Sequence, residues 1–123
     1  MGVEPNKGRV LSELRRCLRV LARPGTEALA SLPDGCAKAD ELALEYGDAV
    51  IGARAFSTAL APAQWSALTQ IDALLAGMSG EENAELWSEA AVVAHPRWQE
   101  VRRAAVSAMA LIGWSADVGT SNG

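Results

Sequence analysis

The sequence predicts an all-α fold, a compact bundle of four long helices with one short helix, and three observations predict it. Alanine supplies 24 of the 123 residues, while β-branched and aromatic residues are sparse, a composition that favours helix over strand. Each long apolar stripe repeats at spacings of three and four rather than two. The stripes are separated by Pro- and Gly-containing punctuation two to eight residues long, as in a helical bundle. At this length the chain buries about two-thirds of its unfolded surface, enough for one core without disulfides or metal. Residues 1–114 are therefore expected to form a single helical domain and residues 115–123 a flexible tail of polar and small residues.

The first helix is expected over about residues 7–22, where Val10, Leu11, Leu14, Cys17, Leu18 and Leu21 make one stripe. Asn6 is its candidate cap and Arg23-Pro24-Gly25 its stop. A short helical turn follows from Thr26 through Leu32, closed by the turn Leu32-Pro33-Asp34-Gly35. The next helix spans roughly 38–56 with Leu42, Tyr46, Ala49, Ala53 and Phe56 inward. Gly47 and Gly52 each weaken it by about 1 kcal/mol relative to Ala, unless they mark close approach of a neighbouring helix.

After a link over Ser57–Ala61, Pro62 opens a helix that carries Trp65, Leu68, Ile71 and Leu75 to about Ala76. Gly77-Met78-Ser79-Gly80 breaks it. Ser79 and Glu82 then stand at capping-box spacing, heading a helix over 81–94 that buries Leu86, Trp87, Ala90, Val93 and Ala94. His95-Pro96 begins the last helix, with Trp98, Val101, Ala105, Ala108, Met109 and Ile112 inward and Gly113 at its end.

No residue set matches a catalytic or metal site. His95 is the sole histidine and precedes a proline, so it reads as a helix-start residue holding a backbone amide rather than as a base. Zinc ligation would have only Cys17, Cys36 and His95 to draw on, and a di-iron bundle needs Glu-x-x-His on two helices. Gly77-Met78-Ser79-Gly80 lacks the spacing and the preceding strand of a nucleophile elbow, and no phosphate-binding glycine loop occurs. Neither enzyme, cofactor nor metal is expected. The opening Met1-Gly2-Val3-Glu4-Pro5 lacks a basic start and apolar run, so no export signal, no membrane partner, a cytoplasmic location and two reduced thiols are expected. Cys17 falls on the leucine stripe and Cys36 beside a glycine turn, the first expected buried and the second exposed.

Charge is segregated. Residues 1–23 carry a local +4, residues 24–96 a local −9 and the remainder +1. Arg9, Arg15, Arg16, Arg19 and Arg23 lie opposite the leucine stripe of the first helix. They read first as a solvated face pairing with acidic helices, and second as a nucleic-acid or regulatory contact. The acidic middle argues against nucleic acid as a partner and for a basic protein. Asp40, Glu41, Glu45 and Asp48 cover one side of the 38–56 helix, with Leu44 and Ile51 among them. Apolar anchors bordered by carboxylates suit a protein interface, but the first reading is that this helix sits centrally and buries Leu44 and Ile51 against its own bundle, with the interface second. Glu81, Glu82, Glu85 and Glu89 form a second acidic stripe, whose position in a first helical turn already complements the helix dipole.

Several stretches together resemble a known family: Leu32-Pro33-Asp34-Gly35, Asp40-Glu41-Leu42-Ala43-Leu44-Glu45-Tyr46, Trp87 with Ala90 and Ala91, His95 through Arg102, and Gly113-Trp114. Over about residues 32–114 they are similar to small helical immunity proteins of contact-dependent growth-inhibition toxin systems of Gram-negative bacteria. The resemblance implies a bacterial cytoplasmic protein whose single activity is to bind and neutralise a cognate toxin domain. Many such toxins are nucleases with basic surfaces, which suits Asp40, Glu41, Leu44, Glu45, Asp48 and Ile51 as partner-binding residues.

Overall fold

A computed structural model describes residues 6–114, so the expected tail at 115–123 and the side-chain cap at Asn6 lie outside the described residues. The described residues are all-α, without a strand. In order they form α1 (Asn6–Ala22), α2 (Gly25–Ala30), α3 (Lys38–Ala53), a 3₁₀ segment (Arg54–Ala59), α4 (Pro62–Gly77), a second 3₁₀ segment (Glu81–Trp87), α5 (Glu89–Ala94) and α6 (Pro96–Ile112). The principal packing runs α3 on α1, α1 on α6 and α6 on α4, so α1 and α6 are central and α3 and α4 flank them. No described helix is long and apolar enough to cross a membrane.

Leu14, Leu18, Leu68, Ile71, Met78, Val101 and Met109 are fully buried. Ala105 and Ala108 on α6 are buried too, and their single methyl groups let neighbouring helices approach closely. Tyr46 is enclosed with its hydroxyl donating to the Leu68 carbonyl at 2.8 Å, which ties α3 to α4 and satisfies the one polar atom buried there. α6 follows its sequence pattern closely. His95 Nδ1 accepts the Arg97 amide at 3.1 Å, Pro96 takes the first turn, and Gly113 closes the helix at φ 90°, a left-handed conformation that suits glycine.

Three expectations are corrected. Phe56 does not extend the α3 stripe: the helix ends at Ala53, and Phe56 sits half-buried in the 3₁₀ segment at φ −116°, ψ 56°. The helix expected over 81–94 is two elements broken at Ser88, whose extended backbone and side-chain cap on the Ala91 amide restart the helix. The inward face resets accordingly, so Ala91 and Val92 are buried while Ala90, Val93 and Ala94 are exposed. The Ser79–Glu82 capping box is absent. Gly80, at φ 106°, is the residue before the turn, and Ser79 Oγ lies against the Leu75 carbonyl instead.

Gly25 lies where α2 approaches the backbone of α5. A Cβ there would stand 2.6 Å from the Val92 carbonyl oxygen and from the Val93 Cα, so only glycine lets α2 meet the backbone of α5. The glycines of α3 divide. At Gly52 an added Cβ would touch Val10 of α1 at 3.7 Å, an ordinary contact, whereas at Gly47 nothing stands within 4 Å. Close helix approach therefore does not explain Gly47.

Candidate protein-binding surface on α3

α3 turns Ala39, Leu42, Tyr46, Ala49, Val50 and Ala53 into the core. The opposite side is left to Asp40, Leu44, Gly47, Asp48 and Ile51, three and four residues apart along one face. Leu44 is 61% exposed and Ile51 71%, the two most exposed large apolar side chains among the described residues, so they are not absorbed by the bundle. Asp40 and Asp48 are exposed, and Glu41 and Glu45 are half-buried at the margin. The six residues singled out from the sequence thus share one side of a single helix.

They do not all stand free. Glu45 accepts from the Arg16 guanidinium at 3.2 Å, and Arg16 also grips Glu13 one turn back on α1. Those two carboxylates hold the guanidinium charged more firmly, the Glu13 hydrogen bond having the largest effect, and Glu13 is lowered below the usual carboxylate range by the same bond. Arg16 is thus a bridge between α1 and α3. Arg23, just past the end of α1, pairs locally with Glu27 at 3.2 Å. Beside the bridge a groove of about 300 Å³ opens between α1 and α3, lined by Val10, Glu13, Arg16, Glu45, Asp48, Ala49 and Gly52. Val10 and Glu13 could not be assigned to this surface from the sequence, because their partnership with α3 depends on how two helices that are not consecutive in the chain cross.

The remaining titratable groups are scattered. Burial pushes the Cys17 thiol up to about 11, which leaves it protonated and weakly nucleophilic. Cys36 is half-buried, less open than its glycine turn suggested, with its sulfur against the Pro33 carbonyl. Burial likewise raises the Tyr46 phenol and the Asp72 carboxyl, Asp72 being partly offset by Arg54. Arg54 itself lies over the Trp65 ring at 5.2 Å and donates to Thr69. Asp72 was not marked by the sequence, since it belongs to no motif and acquires its shift only by packing. Among the described residues no three His, Cys, Asp or Glu side chains come together as a metal site.

No family model matches the chain, and neither a curated protein nor a solved structure matches it.

Proposed function

We propose that this protein is a non-catalytic binding module that recognises a basic protein partner through the outer face of α3. The observation that supports this most is the exposure of Leu44 and Ile51 in the middle of Asp40, Glu41 and Asp48. Two large aliphatic side chains held open on a regular helix lose water on contact, and the surrounding carboxylates steer and orient a cationic surface. Together with the resemblance to small helical immunity proteins, the favoured partner is a basic toxin domain, of nuclease type, neutralised in the cytoplasm.

The test is co-expression with the toxin domain encoded immediately upstream, scored by survival and co-purification. The wild type is expected to protect. Asp40→Lys with Glu41→Lys is the informative reversal, because Glu45 also bridges to Arg16 and its replacement would remove a contact between α1 and α3 as well. That double reversal is expected to weaken the complex by several kcal/mol while leaving helix content unchanged. Failure of the wild type to protect defeats the immunity reading, and full protection by the reversed protein defeats the choice of surface.

A further inference from the structure

The groove beside the α3 face has a shape and charge that single out one kind of side chain. Its volume of about 300 Å³ lies at the bottom of the range for ligand pockets, roughly 300–1,000 Å³, and suits one long side chain rather than a cofactor or a peptide segment. Val10, Ala49 and Gly52 supply apolar floor, and Glu13, Glu45 and Asp48 supply three carboxylates against the single guanidinium of Arg16. Arg16 already occupies Glu13 and Glu45, whereas Asp48 is exposed and makes no ion pair among the described residues. Gly52 keeps the floor low: a methyl group there would reach Val10 at 3.7 Å, and any longer side chain would fill the groove.

We infer that this groove receives an arginine of the basic partner, its aliphatic stem over Val10, Ala49 and Gly52 and its guanidinium on Asp48. The inference rests on the proposed α3 binding face and gives it a specificity pocket. Asp48 is four residues from Leu44 and three from Ile51 along α3, so the pocket and the apolar anchors form one continuous surface. Arginine fits better than lysine for two reasons. Its planar guanidinium pairs with a carboxylate through two hydrogen bonds, and its weaker hydration makes partial burial less costly. The contact by which Arg16 links Glu13 to Glu45 shows that the same walls hold a guanidinium from this chain.

The experiment uses the full chain, ¹⁵N-labelled, titrated at low salt with the blocked peptide acetyl-Leu-Arg-Leu-amide. Versions with lysine or with citrulline, which keeps the shape of arginine without its charge, are compared. Amide shifts are expected at Val10, Asp48, Ala49 and Gly52, with affinity falling in the order arginine, lysine, citrulline. Citrulline is expected to bind at least about tenfold more weakly. Asp48→Asn should remove the preference for arginine over citrulline. Gly52→Leu should abolish the shifts with helix content maintained and the thermal midpoint not lowered. Shifts located elsewhere, no shifts, or equal binding of arginine and citrulline overturn the inference. In the co-expression assay, full protection by Gly52→Leu overturns it while sparing the immunity reading, whereas failure of the wild type to protect alongside the expected peptide shifts defeats only that reading.

Discussion

Two stretches of this chain each place four carboxylates within nine residues, Asp40 to Asp48 and Glu81 to Glu89, yet one is a surface and the other a support. The first lies on an unbroken helix whose carboxylates share their side with Leu44 and Ile51, both in water. The second lies on a 3₁₀ segment and the start of α5, with Leu86 buried, Trp87 half-buried and its backbone fastened from below. Trp98 Nε1 donates to the Leu86 carbonyl at 2.7 Å, and Trp87 Nε1 donates to the Met78 carbonyl at 2.8 Å. The two indoles meet edge to face at 5.5 Å. Acidic density alone therefore does not distinguish a binding face. What separates the two is whether apolar side chains accompany the charges outward or anchor the backbone inward.

Breaking the support should produce the largest effect. Trp98→Ala removes a buried ring, the edge-to-face contact with Trp87 and the donor for the Leu86 carbonyl. A loss of about 3–5 kcal/mol is expected, measured by denaturant unfolding. A loss below about 1 kcal/mol would mean that the 81–87 segment is not held by α6.

The opposite outcome is expected on α3. Leu44→Ala and Ile51→Ala should each leave unfolding stability within about 0.5 kcal/mol of wild type, because both side chains are already solvated. Under the proposed function, each should weaken partner binding by about 2 kcal/mol, read by calorimetry on the co-purified complex. If either change costs stability instead, the face is part of the fold and the contrast between the two regions collapses.

Ser88 tests how the second region acquired its shape. Its hydroxyl oxygen accepts the Ala91 amide at 3.1 Å, and its proton is given to the Glu85 carbonyl at 3.2 Å. Ser88→Ala should cost about 1 kcal/mol in denaturant unfolding, the usual value for a lost helix cap. No measurable cost would place the origin of the break elsewhere than at this side chain.

That break also marks how far the sequence could be read. α1, α4 and α6 were legible because their leucines, isoleucine, Trp98 and alanines repeat at helical period between Pro and Gly signals, and their buried faces match. The 81–94 stretch was not, because alanine fits a helix on any side. Its expected face, Ala90, Val93 and Ala94, lies nearly half a turn of the helix away from the observed Ala91 and Val92, a reversal set where the Ser88 cap restarts the helix and Gly25 meets its backbone. On α3 all six candidate residues could be placed on one side by periodicity. Whether Leu44 and Ile51 faced water depended on α3 lying at the edge of the packing order, and the groove with Val10 and Glu13 depended on a helix crossing. Neither property is local in sequence.

The smallest expected effect bears on the binding face directly. Gly47 lies in the interior of α3 between Leu44 and Ile51, has an ordinary negative backbone φ, and has no atom within 4 Å of where a Cβ would stand. Nothing within the described residues requires glycine there. Gly47→Ala should therefore stabilise the protein by about 0.5–1 kcal/mol, through better helix propensity and a less flexible unfolded chain. Thermal unfolding should register a rise of a few degrees. The same methyl group would stand between the two apolar anchors, where a partner surface must come close to bury them. Binding should therefore weaken even as the free protein becomes more stable, an opposition that a purely structural glycine would not produce. A fall in thermal midpoint would show that α3 needs glycine for its own packing. A rise in midpoint with undiminished binding would leave the anchors in place but move the point of closest approach away from Gly47.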